Sequence, residues 1–158
     1  MAITSFRAGE AISAGDVVFV SASGFLYRSI ANQLDQAATI GVAIDGGAQG
    51  SLIRVNNDSL YLDATSLVPG QYQYVSLLSS GQYEDYTAWA SGLALTSYDA
   101  AYLTIVGRAT STTSIEVEVS KPLQIVNPTS VFLLESHSGP LLDAILQEDG
   151  STIDLETA

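Results

Sequence analysis

The chain contains no cysteine and a single histidine, and these absences remove several kinds of chemistry. Without cysteine, a disulfide, a catalytic thiol and a cysteine-based zinc site are all excluded. The histidine, His137, stands between Ser136 and Ser138 in a turn-like segment. A Ser-His-acid site requires a buried and oriented imidazole, so we expect a loop histidine and no catalytic residue.

Positive charge is also scarce. Lys and Arg number 5 against 17 Asp and Glu, which gives a formal net charge of −12. A phosphate backbone would be repelled, so we expect no nucleic acid partner. No segment approaches the roughly 18 apolar residues that cross a bilayer, and the first residues lack the basic start and apolar run of a signal peptide. We therefore expect no membrane partner and no export by that route.

Motifs that hold metals or cofactors are missing as well. Residues 45–47 and 148–150 combine acids with glycine but lack the alternating oxygen ligands of a calcium loop. Gly9, Gly15 and Gly24 are not followed by the lysine and helix of a phosphate-binding loop. We interpret all of these segments as turns, and we expect no metal, no cofactor and no enzymatic activity.

Charged residues make up only 14% of the chain and hydrophobic residues 47%. The surface must therefore consist largely of uncharged polar groups, or else be covered by other chains. A length of 158 residues suits one compact domain, with or without an arm.

What the sequence does contain is an internal repeat. A strand-like segment that begins with glycine and ends with serine occurs twice, and each copy leads through a polar stretch to a second matching block and a final strand. The matching pairs of segments are 15–21 and 70–76, 40–43 and 106–109, and 52–55 and 115–119. We interpret the two halves as one duplicated β unit.

Alternating apolar and polar residues between glycine-rich turns predict an all-β fold, a small barrel or sandwich built from two similar halves. The duplicated domain is expected over residues 1–121, with halves of about 4–57 and 58–121. Residues 30–38 and 88–95 are interpreted as loops with at most a helical turn. Residues 122–158 are expected to form an extended C-terminal arm.

The arm contains apolar residues set among acids. Residues 131–134 are apolar on both faces and need cover on both, while residues 139–149 suit either a short helix or two strands. Its acidity fits a solvated tail or an arm docked on a neighbour. The candidate interface residues are Val131, Phe132, Leu133, Leu134, Leu141, Leu142, Ile145 and Leu146.

The aromatic residues have two interpretations. Eight tyrosines and one tryptophan could fill the core and subunit interfaces, or they could stack on sugar rings. Tyr83, Tyr86 and Trp89 are crowded beside Glu84 and Asp85, and they are the candidate glycan-facing residues.

Residues 6–18, 24–28 and 40–43 resemble the small capsid decoration (cement) proteins of tailed bacteriophages, over roughly residues 4–120. The resemblance implies a β-tulip-like domain that assembles as homotrimers on the outer capsid and clamps neighbouring shell subunits. Residues 133–139 and 145–156 resemble the Leu-Leu-Glu-Asp-Gly-Ser-Gly phrases appended to many phage virion proteins.

The function expected from this resemblance is structural: a decoration protein at the outer capsid surface of a virion, whose partners are the major capsid protein and two further copies of itself. The alternative is a host-recognition or carbohydrate-binding module of a phage head or tail fibre.

Overall fold

The computed structural model describes residues 3–95 and 101–125, and the chain up to Ile125 forms one compact unit. The eight candidate interface residues between Val131 and Leu146 lie outside the described residues, as does His137.

The described residues form twelve strands and two helices, in which every strand pairing is antiparallel. In chain order they are β1 (Ile3–Arg7), β2 (Val17–Val20), β3 (Leu26–Arg28), α1 (Leu34–Ala37), β4 (Gly41–Ala43), β5 (Leu52–Asn56), β6 (Leu60–Tyr61), β7 (Tyr72–Val75), β8 (Tyr83–Glu84), α2 (Tyr86–Leu93), β9 (Tyr102–Leu103), β10 (Ile105–Ala109), β11 (Ile115–Val117) and β12 (Leu123–Gln124). The all-β prediction is confirmed.

Two five-stranded sheets share one strand order. The first runs β1-β5-β4-β2-β3 and the second β6-β11-β10-β7-β8, so each strand of one sheet has a counterpart at the same place in the other. A third, two-stranded sheet pairs β12 with β9. The recurring order is what the repeated segments of the sequence predict.

Individual hydrogen bonds recur with the strands. Gly15 donates its N–H to the carbonyl of Ala43 at 2.8 Å, and Gly70 donates to that of Ala109 at 2.7 Å. Both glycines have a positive φ, 95° and 91°, which an L side chain rarely adopts. The repeat therefore preserves backbone geometry as well as hydrophobic pattern.

The loop between β7 and β8 is longer than the loop between β2 and β3. The difference changes which residue of β8 is the structural counterpart of a given residue of β3. Tyr83 lies opposite Val75, in the place where Leu26 lies opposite Val20. Tyr83 is therefore the counterpart of Leu26 and not of Tyr27, although the sequence repeat suggests the tyrosine.

Neither sheet closes into a barrel within the described residues. The two edges of the first sheet meet only at an isolated bridge, where Gly9 donates its N–H to Leu26 at 2.8 Å. The bridge does not continue as a ladder, so the described residues form an all-β fold in which no closed barrel is found.

The buried apolar residues form two clusters, and β2 contributes to both. Val17 belongs to the larger cluster, which is shared between the halves and includes Trp89 and Ile115. Val18 points to the opposite face of the strand and joins a cluster within the first half, with Leu26 and Ile53. The apolar run in β2 is therefore buried on both faces, and it fixes the first sheet against the second.

The helices are short. α1 is the single turn expected there, but α2 contains eight residues where only a turn was expected. The Oδ1 atom of Asp85 accepts the N–H of Ala88 at 2.9 Å and caps its first turn. No helix in the described part of the chain is long and apolar enough to cross a bilayer.

Candidate functional site

A polar cavity of about 590 Å³ lies between the two halves. Its walls come from the turn before β2, the end of β3, the loop between β6 and β7, the inward face of β7, and β8 with the start of α2. The lining residues are 13–16, Arg28, 63–68, Gln71, Gln73, 82–85 and Ala88. Ser66, at a φ of 59°, is the one non-glycine residue with positive φ among the residues described, and it belongs to this lining.

Main-chain hydrogen bonds across the halves hold the cavity together. Gly81 accepts the N–H of Val17 at 2.9 Å and donates its own to Ser29 at 2.8 Å. A Cβ atom at Gly81 would lie 2.9 Å from Cδ of Arg28 and 3.0 Å from Oδ1 of Asp16. Because no side chain intervenes, the hairpin of the second half lies directly against Asp16 and Arg28.

Asp16 is the most buried acid of the cavity, with 6% of its surface exposed. Its Oδ2 atom accepts the N–H of Ser13 at 2.8 Å. Burial raises the pKa of the carboxyl above its ordinary value, against the smaller lowering effects of the Ser13 hydrogen bond and the charge of Arg28. The counterpart of Asp16 in the second half is the neutral Gln71, since their carbonyls accept the equivalent N–H groups of Ala43 and Ala109.

Glu84 and Tyr83, neighbours on β8, are also shielded from water. Burial raises the pKa of Glu84, although hydrogen bonds from Ser76 and Leu77 oppose this. Burial likewise raises the pKa of the Tyr83 hydroxyl to about 12, with a smaller contribution from Tyr61. The acids and the phenol are thus held in a less polar environment than their side chains have in water.

Arg28 is the only basic residue of the lining, and it is already paired. Its Nη2 atom lies 3.2 Å from Oε2 of Glu10, whose Oε1 atom also accepts the Arg28 main-chain N–H at 2.8 Å. The hydrogen bond with Glu10 is the main cause that raises the pKa of Arg28. Its charge is therefore directed at Glu10, outside the lining, and only partly offsets the cavity acids.

Gln73 projects from β7 into the same region. It is only 3% exposed and belongs to the cavity lining. The sequence alone does not identify Gln73 or Asp16 as cavity residues. The alternating pattern of β7 shows which side chains share a face of the strand, but it does not show which part of the fold that face contacts.

The three candidate glycan-facing residues do not share one surface. Trp89 is 2% exposed and lies in the shared core, and Tyr83 lines the cavity. Tyr86 is 58% exposed and its ring stacks on Trp89, with centroids 6.0 Å apart. The third ring of this cluster is Tyr74, 6.0 Å from Tyr86 and 6.5 Å from Trp89.

Tyr72 extends this aromatic face along β7. It lies two residues before Tyr74, so both rings lie on one side of the strand, and the guanidinium of Arg108 is 6.0 Å from its ring centroid. The spacing of the two tyrosines in the sequence was the signal that could have identified this face.

Apolar side chains are exposed at matching edges of the two sheets. Ile3 on β1 lies opposite Asn56, and Leu60 on β6 lies opposite Glu116, at equivalent positions of the two sheets. The exposed fractions are 44% for Ile3 and 50% for Leu60, and the nearby Leu62 is exposed as well.

The described residues contain no group of three or more His, Cys, Asp or Glu side chains placed to hold a metal ion. No protein-family model matches the sequence, and comparison with curated proteins finds no match.

Proposed function

We propose that this chain is a structural protein of a phage virion, a non-enzymatic decoration protein that binds the outer capsid surface as a homotrimer. Its partners are the major capsid protein and its own copies. The resemblance of residues 6–18, 24–28 and 40–43 to decoration proteins motivates the proposal.

The observation that carries the proposal is the pair of exposed apolar residues at equivalent edge strands. Ile3 and Leu60 leave apolar surface on β1 and β6, which are edge strands of the two sheets within the described residues. Apolar surface at a sheet edge favours association in a chain with few charged residues. A closed ring of three copies would cover one such edge per subunit.

The joint between the halves suits a mechanical role. Ala31 donates its N–H to Ser76 at 2.8 Å and accepts that of Tyr102 at 2.9 Å, so main-chain bonds as well as the shared core connect the sheets. A rigid subunit can present several weak contacts to the shell at once, and three linked subunits raise the effective concentration of each contact.

The test combines light scattering after size-exclusion chromatography with binding to purified capsids. We expect a trimer that binds the shell, and a weaker trimer for Leu60→Lys, since a charge at the edge opposes burial. Leu34→Lys is the matched control, because Leu34 is similarly exposed but lies on α1. A monomer at micromolar concentration, or equal behaviour of the two variants, would contradict the proposal.

The second candidate function is a carbohydrate-binding module of a head or tail fibre, favoured by the aromatic face. Tyr72 and Tyr86 are exposed, and Tyr74 lies between them. A glycan array distinguishes the two functions: specific binding that is lost in Tyr86→Ala and retained in Tyr27→Ala would favour the fibre module over the decoration protein.

A further inference from the structure

We propose that the edge strand β1 of one copy pairs with the edge strand β6 of a second copy, so that two sheets continue across the boundary between subunits. The inference rests on the homotrimer of the proposed function and names the surfaces through which its copies join. It follows from the main-chain directions, the exposed apolar side chains and the charges of the two edges.

The main-chain groups of β1 point outward at alternate residues. Antiparallel strands alternate between residue pairs that exchange main-chain hydrogen bonds and pairs that do not. Ala8 donates its N–H to Ser51 at 2.8 Å, one position beyond the pairing of Arg7 with β5. The N–H and carbonyl groups of Arg7 and Ser5 therefore point away from β5.

The edge at β6 has the same arrangement. Val117 donates its N–H to Ser59 at 3.1 Å, and Leu60 is in register with Glu116 at the next position. The main-chain groups of Leu60 therefore point away from β11. Its carbonyl accepts from Nδ2 of Asn56 at 3.3 Å, which leaves a lone pair for a second donor.

Apolar side chains are exposed beside these outward groups. Ile3 on β1 is 44% exposed, and Leu60 and Leu62 at the other edge are 50% and 64% exposed. In an antiparallel register that places Ser5 opposite Leu60, Ile3 lies opposite Leu62. Pairing in this register removes apolar area from water on both subunits.

The charges of the two edges are opposite. β1 and β5 contain two arginines, Arg7 and Arg54, and no acid. β6 and β11 contain Glu116 and no base, and Asp58 and Asp63 flank β6. Two β1 edges would bring arginines together and two β6 edges would bring acids together, and like charges on paired strands are destabilising. The unlike edge of a second copy is therefore the partner that fits.

Arg7 contributes most of the positive charge at its edge. Arg54 is already bound to Asp45 at 2.7 Å, whereas Arg7 is exposed and its Nη1 atom donates to the carbonyl of Gly50 at 3.0 Å. That hydrogen bond holds the guanidinium near the edge and leaves its charge uncompensated. The register that joins Ile3 to Leu62 places Arg7 opposite Asp58. A contact between unlike edges is heterologous, and three such contacts can close a ring.

The first test is cross-linking of the full chain, which contains no cysteine of its own. Ile3→Cys and Leu62→Cys chains are co-expressed and treated with a short bismaleimide. We expect linked dimers from this mixture, none from either variant alone, and linked trimers when one chain carries both substitutions. Leu34→Cys in place of Leu62→Cys is the control, since Leu34 is 54% exposed but lies on α1.

The second test reverses the charge at the edge. Arg7→Glu should raise the dissociation constant of the trimer about tenfold, because repulsion replaces attraction between the paired strands. Lys121→Glu makes an equal change at an exposed position outside both edges and should leave the constant unchanged. Asp58→Arg added to Arg7→Glu should recover part of the affinity. Light scattering on serial dilution measures all three.

Links between Ile3→Cys chains alone would indicate a two-fold contact and overturn the proposal, and so would links from Ile3→Cys to Leu133→Cys instead of Leu62→Cys, which would assign the edge to the C-terminal arm. Equal dissociation constants for Arg7→Glu and Lys121→Glu would overturn it as well. A trimer without the expected links overturns the interface and leaves the homotrimer in place. A linked trimer that does not bind capsids supports the interface and contradicts the decoration role. A monomer at micromolar concentration overturns both.

Discussion

Gly41 and Gly107 occupy equivalent positions in the two sheets, and each lies against a main-chain carbonyl of the neighbouring strand. A Cβ atom on Gly41 would collide with the carbonyl oxygen of Asn56, and one on Gly107 with that of Glu116. The obstacle in both cases is backbone, which a rotamer change does not move. The duplicated unit has thus kept one close strand approach in both halves.

Alanine at either glycine should therefore destabilise the fold. We expect Gly41→Ala and Gly107→Ala each to lower the free energy of unfolding by about 1–3 kcal/mol or more, as overpacking in a well-packed region does. Chemical denaturation followed by circular dichroism measures this. Gly24→Ala is the comparison, since a Cβ there meets no atom within 4 Å and only the positive φ of 85° opposes it. A smaller loss at Gly41 than at Gly24 would contradict the close approach.

The burial of Asp16 makes stability depend on pH. Because the pKa of its carboxyl is raised in the folded chain above its ordinary value of 3.8, the folded state binds the proton more tightly than the unfolded state. The contribution of this group to stability therefore falls as pH rises from the ordinary value through the raised one. Asp16→Asn removes this dependence while keeping an oxygen that can accept the Ser13 N–H.

The melting temperature of Asp16→Asn minus that of the unaltered chain should accordingly increase with pH across the acid range and then level off. Asp35→Asn controls for the loss of one negative charge. A difference that shrinks with rising pH would have the wrong sign for a buried carboxyl.

The hydroxyl of Tyr83 should ionise at a higher pH than an ordinary phenol. Burial raises the pKa of its hydroxyl to about 12, whereas exposed phenols titrate near the ordinary value of 10. Ultraviolet difference spectra of the unaltered chain and Tyr83→Phe, recorded against pH, isolate its transition. A Tyr83 transition near 10 while the chain remains folded would place the ring in water.

Trp89 is the only tryptophan, so its fluorescence reports one site. The indole is 2% exposed and its Nε1 atom has no hydrogen-bond partner among residues 3–95 and 101–125. We expect emission at a shorter wavelength than in the unfolded chain, with little quenching by iodide. Strong quenching in the folded protein would mean that the ring is at the surface, where it could face a glycan.

The repeat and the all-β fold were predictable from the sequence because their signals are local. Glycines such as Gly15 and Gly70 mark turns, and the alternation in segments such as 72–75 marks a strand, so matching patterns predict matching strands. The end of the second hairpin was less predictable. Its additional residues placed Tyr83 where Leu26 lies in the first half, a shift that pattern matching alone does not reveal.

The helix α2 and the cavity were missed for a different reason. The helix begins before residues 88–95, and its apolar period is complete only when Tyr86 is counted with Trp89 and Leu93. The Asp85 cap and the packing of Trp89 near Tyr74 stabilise it. The cavity depends on how the two sheets meet. Nothing near Asp16 or Gln73 in the sequence indicates that residues more than fifty positions apart share one space.

The compact unit ends with a short strand pair near Ile125, which leads to a prediction about truncation. β12 pairs with β9, and Ile125 donates its N–H to Ala101 at 2.9 Å and packs against the shared core. A chain that ends at Val126 keeps all of these contacts. It should melt at the same temperature as the full chain, while the loss of the apolar residues 131–134 should weaken trimer formation or capsid attachment under the proposed function.

A second truncation, after Pro122, is the control because it removes β12 and Ile125 as well. It should lower the free energy of unfolding by about 1–3 kcal/mol, since two or three main-chain hydrogen bonds are worth roughly 0.5–1.5 kcal/mol each and Ile125 leaves the core. Thermal melting measures the stability of both truncated chains. Light scattering measures trimer formation, and retention on purified particles measures capsid attachment. If the chain that ends at Val126 melts early, the contacts of the compact unit extend beyond Ile125. If it melts normally and still forms trimers and binds particles as the full chain does, residues 127–158 have no part in assembly, because the domain alone then supplies every contact that assembly requires.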